Sequence, residues 1–358
     1  MDSENSDPAS PEDAFAFVGS WREFAPIAFT NLLLTIATLG IYRFWARARE
    51  RRYLWSRTRF IDERLEWAGT GKEMFVGFLV AMAVLVPGFL FATTAFESLI
   101  LRGETVLAFL VIASLYIGIF YLTGVALFRA LRYRLSRTYW RGIRGGSNAP
   151  GWHYGFSAVW RTVCGILPMG VLVPWAMVSL WNERWGSMSF GQYPFRAEAT
   201  AQGLTKRWML LCMGGTMILL AIGLFALFGT VKGAKPSPGS AATIAVLVLF
   251  FYAFILVASL AYYALYYRHV IGSLSLSGLD FTFSASSRAW FGLILGNIGL
   301  VIVTLGIGAI FLPYRNWSFF IRHLGATGEI DLAALSQSTT RSASDAEGLA
   351  SAFDIGAI

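Results

Sequence analysis

Seven stretches of this chain, at about 25–42, 74–96, 105–128, 155–180, 208–230, 241–267 and 289–313, contain no Asp or Glu. Each approaches or exceeds the length that crosses roughly 30 Å of hydrocarbon. Only Arg161 carries a formal charge inside them, and a charge at mid-bilayer costs at least ~2.5 kcal/mol unless it is paired, hydrated or near an interface. With 56% hydrophobic and 14% charged residues in 358, a water-soluble fold could not hide the apolar surface. The fold class that follows is mainly α, a polytopic membrane protein.

Three of the stretches are copies of one another. The first reads Asn31, six residues, then TLGI at Thr38 to Ile41, and the last reads Asn297, six residues, then TLGI at Thr304 to Ile307. The middle copy places Gly170 and Val171 where the others have Gly40 and Ile41, and repeats the spacing from Trp45 to Trp55 as Trp175 to Trp185. Such self-similarity indicates internal repeats built by duplication. Between the copies lie two helical hairpins, at 74–128 and 208–267.

The segments that follow the apolar exits have period two. RTRFIDERLEWAG (57–69) divides around Asp62-Glu63 and SMSFGQYPFRAEA (187–199) around Gly191 to Pro194. SLSLSGLDFTFSA (273–285) turns at Ser277 to Asp280 and FIRHLGATGEIDLAAL (320–335) at Gly325 to Gly328. Alternation bounded by Gly, Pro, Asp and Ser reads as β-hairpins, with irregular amphipathic loops as the alternative. Open sheet edges cannot face lipid, so four hairpins belong in one small antiparallel layer on the cytoplasmic side. Residues 1–14 form an acidic N-terminus and 336–358 a Ser/Thr/Ala-rich tail, both expected to be mobile, around one repeat-built domain at 15–335.

Two topologies fit the apolar pattern. If all seven stretches span, the outer side receives Arg22, Arg102, Arg184, Arg196, Lys206, Arg207, Arg268 and Arg288. If the three repeated segments instead enter and leave by one face, only Arg102, Lys232 and Lys235 lie outside. The second satisfies the positive-inside rule better. It also accounts for Pro168, Gly170 and Pro174 in the middle copy, since broken helix is tolerated at membrane depth where protein packs around it. Against it, the first and last copies are unbroken by proline and are long enough to cross. Either way the C-terminus is cytoplasmic.

From Arg137 the chain reads RTYWRGIR to Arg144, then Gly145 and Gly146. With the two TLGI copies and the hairpins after them, this resembles the YjgN family, bacterial inner-membrane proteins of unknown function, over roughly residues 15–335. The family's stretch tends to read RTRWRGIR, so Tyr139 departs from it. The resemblance implies a multi-pass location in the bacterial inner membrane and brings no activity, substrate or catalytic residue.

The candidate sites follow from chemistry and repeat position. Asn31, Arg161 and Asn297 share one offset, where they could line a central path or hydrogen-bond neighbouring helices; Arg161 could also meet an anion or snorkel to the interface. Gly40, Gly170 and Gly306 share another and are expected to let helices pack closely, as are Gly292 and Gly296. The cluster Arg43, Arg47, Arg49, Arg51 and Arg52, with Arg137, Arg141 and Arg144, sets orientation or attracts anionic lipid headgroups. Trp45, Trp55, Trp140, Trp175, Trp185 and Trp317 are expected in aromatic belts at the membrane surface.

His153, His269 and His323 are scattered, and Asp62, Glu63 and Glu66 sit among arginines in a hairpin. Cys164 and Cys212 lie in apolar stretches and suggest no disulfide. No catalytic residue, metal or cofactor is therefore expected, nor a nucleic-acid partner; the bilayer is the partner, with a homo-oligomer or a membrane partner left open. The expected role is non-enzymatic, in small-solute or lipid passage, or else a scaffold docking a partner through its hairpin layer.

Overall fold

The computed structural model describes residues 14–231, 238–330 and 335–340. The acidic N-terminus and most of the tail, including residues 341–358, lie outside the described residues. Among those described, the helices come in pairs, alternately short and long. The short pairs are α1 (Trp21–Ala37) with α2 (Arg43–Ser56), α5 (Trp152–Ile166) with α6 (Val173–Gly186), and α9 (Ser287–Val303) with α10 (Leu312–His323). The long pairs are α3 (Gly71–Leu101) with α4 (Thr105–Arg137), and α7 (Leu204–Val231) with α8 (Pro238–Ile271). At 1.5 Å per residue a short helix reaches about 18–25 Å and a long one about 40–50 Å. Only the long helices are long and apolar enough to cross a membrane, four in all among the described residues.

Each short copy is thus a helix, a turn and a second helix. The TLGI motif makes the turn. Leu39 and Gly40 have φ of 50° and 92°, Met169 and Gly170 have 53° and 80°, and Leu305 and Gly306 have 50° and 93°. The Gly40 N–H bonds the Thr35 carbonyl at 2.7 Å and the Gly306 N–H bonds that of Val301 at 2.7 Å, closing the preceding helix. A continuous span through 25–42 or 289–313 is therefore corrected. In the third copy a 3-10 turn, Ile307–Phe311, fills the space before α10.

Both ends of every pair meet the strands. These are β1 (Phe15–Phe17), β2 (Thr58–Phe60), β3 (Glu63–Arg64), β4 (Glu66–Trp67), β5 (Thr138–Trp140), β6 (Ile143–Gly146), β7 (Ser189–Phe190), β8 (Tyr193–Ala197), β9 (Leu274–Leu276), β10 (Leu279–Phe283) and β11 (Leu324–Gly328). Strands β4 to β11 form one antiparallel sheet in sequence order, and β1, β2 and β3 form another. The two are joined through Leu65, whose N–H bonds the Thr58 carbonyl at 2.9 Å. The sheet curls until β1 lies beside β11, with the Phe15 ring 6.4 Å from that of Phe281.

Ladder bonds tie down the feet of the pairs. Val18 N–H bonds Arg57 O below α1–α2, Ala68 N–H bonds Arg137 O below α3–α4, Glu198 N–H bonds Ser273 O below α7–α8, and Ser284 N–H bonds His323 O below α9–α10. Strands β6 and β7 pair below α5–α6. All five pairs therefore leave and rejoin one sheet, with every strand at the same end of the molecule.

The expected hairpins at 57–69, 187–199 and 273–285 hold β2–β4, β7–β8 and β9–β10. Of the one expected at 320–335, the first residues end α10 and Leu324–Gly328 form β11, paired with β10; residues 331–334 of its second half lie outside the described residues. A further hairpin, β5–β6, occupies the RTYWRGIRGG stretch. The tight turns each begin with a residue of positive φ: Ile61, Arg141, Gly191 and Ser277, as two-residue hairpin loops require. Alternation puts Leu279, Phe281 and Phe283 inside, with Asp280 and Thr282 outside. The interior thus becomes a core of Phe60, Trp140, Phe190, Phe195, Leu274, Leu276 and Phe281.

Candidate functional site

Inside the curl, between the sheet and the helix feet, is a cavity of about 600 Å³, within the ~300–1,000 Å³ typical of small-ligand pockets. Its floor is the inner face of the sheet: Phe15, Phe60, Trp140, Phe190, Phe195, Leu274, Leu276 and Phe281. Its walls are helix stripes at helical spacing. Helix α2 contributes Arg47, Glu50, Arg51, Leu54 and Trp55; α9 contributes Trp290, Leu293, Ile294 and Asn297; and α4 contributes Leu131, Arg134 and Leu135. Trp181 and Trp185 of α6 and Asn316, Trp317 and Phe320 of α10 complete the ring.

The walls are layered. On α2 and α9 the aromatic residue is nearer the strand end of the helix than the polar ones, with Arg47 and Glu50 about 7–12 Å beyond Trp55 and Asn297 about 10 Å beyond Trp290 along the axis. On α10, Asn316 adjoins Trp317. Below them the indoles lock together. Trp55 stacks on Trp317 with centroids 4.1 Å apart. Their N–H groups donate to Thr138 Oγ1 and Thr58 Oγ1, each at 2.9 Å, and Trp140 Nε1 donates to the Phe60 carbonyl at 3.0 Å. The expectation of surface aromatic belts is corrected for Trp55, Trp140, Trp185 and Trp317: they face inward because each short pair turns back onto the sheet.

The matched polar residues do not converge on this cavity. Each fastens its own pair, donor and acceptor being supplied from opposite helices. Asn31, 3% exposed, donates through Nδ2 to the Ala46 carbonyl at 3.2 Å and accepts from Arg49 Nη1 at 3.4 Å. Arg161 donates to the Ser179 carbonyl at 2.9 Å and pairs with Glu183 at 2.7 Å. Asn297 accepts from Arg315 Nε and donates to Asn316 Oδ1, both at 2.8 Å. Of the three, Asn297 alone lines the cavity.

The shared glycines are placed by backbone conformation. A Cβ at Gly40 or Gly306 would meet nothing within 4 Å, and one at Gly170 only Val173 at 4.0 Å. The close-packing role expected for Gly40, Gly170 and Gly306 is corrected: their φ is the left-handed one that side chains resist. At the tips the residues beside them are bare, with Leu39, Met169 and Leu305 exposed by 95%, 93% and 92%. Gly292 is likewise open, whereas a Cβ at Gly296 would sit 2.6 Å from Arg315 Nη2.

A family of bacterial proteins of unknown function matches residues 12–352 of the chain. The chain belongs to that family, DUF898. It is similar to the protein named inner membrane protein YjgN of Escherichia coli strain K12, 38% identical over 69 residues, 19% of this chain and 17% of that protein. The same-named protein of Escherichia coli O157:H7 is 37% identical over 70 residues, covering 20% and 18%. That of Salmonella typhimurium is 30% identical over 70 residues, again 20% and 18%. The similar segment is under a fifth of these relatives' length. No solved structure matches. With its four long apolar helices, the chain is a membrane protein of a family without an assigned role, and neither the family nor its relatives' names point to catalysis.

The family motif RTYWRGIR works as a fastening. Arg137 makes a two-pronged pair with Glu73, at 2.9 and 3.1 Å, and the Tyr133 hydroxyl donates to the same carboxylate at 2.8 Å. Arg141 pairs with Asp62, and Arg144 donates to the Thr340 carbonyl at 2.6 Å. On α2, Arg47 pairs with Glu50 at 3.3 Å, Arg49 donates to the Tyr42 hydroxyl at 3.1 Å, and Arg51 is buried over the Trp67 ring. Arg43, Arg52 and Arg141 are the exposed members. Most of the cluster expected at headgroups is thus engaged within the protein.

Glu50 and Glu73 escaped the sequence reading, and Arg134 counts there only as one of the basic residues after the third apolar stretch. For Glu73 a signal was there: Thr70 and Glu73 form a capping box at the start of α3. His153 meets Glu183 at 3.2 Å and remains largely exposed. Among the described residues no group of three or more His, Cys, Asp or Glu is placed to hold a metal ion, and Cys164 and Cys212 are unbridged.

Proposed function

We propose that the protein takes up a molecule with a hydrocarbon part from the inner membrane into the cavity, and serves lipid or amphiphile passage. In this reading α3–α4 and α7–α8 span the bilayer, and the three short pairs enter and leave by the cytoplasmic face. The curled sheet then lies on the cytoplasmic side. The observation that carries the reading is the cavity itself: an aromatic chamber roofed by helices whose tips end in bare Leu39, Met169 and Leu305. Exposed apolar tips are costly in water and favourable in hydrocarbon. A path from bilayer to chamber along α2, α9 and α10 needs no crossing of the sheet.

The docking-scaffold alternative has less behind it. Strand addition needs a free edge, and β1 and β11, the outer strands, lie side by side.

The test uses full-length protein in detergent micelles. Because Trp55, Trp140, Trp181, Trp185, Trp290 and Trp317 line the chamber, amphiphiles with a brominated chain should quench tryptophan fluorescence saturably. Leu276→Trp, which fills the floor, should abolish the saturable part. Quenching that stays linear in amphiphile concentration, and equal in wild type and variant, would refute the reading.

A further inference from the structure

The strands run between the helix feet and a far rim, so the turns at 141–142, 191–192 and 277–278 all lie at the end of the curl away from the helices. The chain after β11 follows that rim. A Cβ added at Gly278 would collide with the Glu329 carbonyl, one at Gly191 would lie 2.6 Å from the Ser336 carbonyl, and one at Gly146 would collide with Thr340 Oγ1. Gly146 and Gly278 have no left-handed backbone to require glycine. The first atom a side chain would meet there belongs to the C-terminal segment.

Residues 335–340 are held by side chains and not by a strand ladder. Gln337 Nε2 donates to the Gly142 carbonyl at 2.9 Å, and its Oε1 accepts from the Arg144 N–H at 3.1 Å. Arg144 Nη2 donates to the Thr340 carbonyl at 2.6 Å, and Ser336 Oγ to Gln192 Oε1 at 2.8 Å. The segment therefore bridges hairpin β5–β6 to hairpin β7–β8. Between those hairpins β6 and β7 meet over two residue pairs, one of them Gly145 with Phe190, and Phe190 lines the chamber. Leu335 is the segment's one apolar residue and packs against the core cluster, while Ser336, Gln337 and Thr339 stay exposed. An element with so little buried apolar contact and such exposed bonds opens before the body it rests on.

Resting on the uptake reading above, we infer that residues 335–340 are a latch on the end of the chamber away from the bilayer. Seated, the latch holds β6 to β7 and closes that end. Released, it lets the two hairpins part beside Phe190, and the ligand leaves toward water. Entry from the bilayer and exit at the rim are then separate openings, and the latch governs only the second.

The experiment locks and loosens the latch in full-length protein. Gly146→Cys with Thr340→Cys, in a chain lacking Cys164 and Cys212, places the new Cβ 3.4 Å from that of residue 340, close to the ~3.8 Å of a disulfide. The readout is the recovery of tryptophan fluorescence as a bound brominated amphiphile dissociates on dilution. Gln337→Ala, which removes two hydrogen bonds, should speed release roughly ten-fold. Oxidation of the cysteine pair should slow it, and reductant should restore it, a reversal that misfolding would not produce. Hydrogen exchange in 143–146 and 189–190, which needs no ligand, should quicken in Gln337→Ala and slow in the oxidised pair. Release at one rate in the oxidised, reduced and Gln337→Ala forms would overturn the latch and leave the uptake reading standing. Saturable binding of no probe would remove the uptake reading itself, and hydrogen exchange equal in all forms would then overturn the latch as well.

Discussion

The turn glycines allow a sharp test, because the same substitution should have opposite signs at sites with equally open surroundings. Gly40, Gly170 and Gly306 have φ between 80° and 93°, and an added Cβ meets nothing closer than 4.0 Å at any of them. The cost of alanine there is therefore conformational. A left-handed L-residue costs about 1–2 kcal/mol, and the stiffer unfolded chain returns part of it, leaving about 1 kcal/mol per site. The sites belong to different pairs, so the triple alanine variant should lose about 3 kcal/mol.

Gly292 is the control. It lies within α9 with nothing within 4 Å of a Cβ, and alanine there gains helix propensity, up to about 1 kcal/mol. With an unfolding entropy of about 2 cal/mol/K per residue, the triple variant should melt about 4 °C below wild type and Gly292→Ala about 1 °C above it. Thermal unfolding in one detergent, followed by circular dichroism, measures both. A triple variant that melts with or above wild type would refute the turn argument.

The other expectations concern the fastenings. Glu73→Gln should destabilise the feet of α3 and α4 by about 3 kcal/mol, because Arg137 and Tyr133 lose a shared carboxylate. A double-mutant cycle with Arg137→Gln in chemical denaturation should return a coupling of about 1–3 kcal/mol, and additive losses would contradict it. Trp317→Ala removes the stack on Trp55 and the bond to Thr58, so denaturation should show a loss of about 3–5 kcal/mol. Burial raises the Tyr53 hydroxyl above its ordinary value of 10.0, with Glu23 adding to the effect. Its contribution is complete below that value and is lost as pH rises through the folded one. The melting temperature should therefore fall more steeply above pH 10 in wild type than in Tyr53→Phe.

Local chemistry made much of the fold legible. Period-two alternation with Gly, Asp or Ser at the bend marked three hairpins. The fourth true hairpin, β5–β6, was obscured by its arginines, although Arg141-Gly142 between TYW and IRGG has the residue types of a two-residue loop. TLGI was legible as a repeat but not as a break, since hydropathy sums over a glycine that backbone geometry treats as a stop. Asn31, Arg161 and Asn297 were matched by repeat position alone, and their partners Ala46, Glu183 and Arg315 come from the returning helix. The cavity had no local signal at all. Its lining joins residues from Phe15 to Leu324 through the curl of the sheet.

The claim on which the rest depends is that every strand lies on one side of the membrane. Single cysteines at Arg196 and Thr282, exposed residues of β8 and β10, and at Gly103 in the turn between α3 and α4, introduced into a chain lacking Cys164 and Cys212, can be labelled with an impermeant maleimide. In inverted inner-membrane vesicles 196 and 282 should react and 103 should not, with the reverse pattern in spheroplasts. Labelling of 196 and 282 in spheroplasts, together with 103, would mean that the short pairs cross the bilayer, contradicting the single sheet and the cavity beneath it.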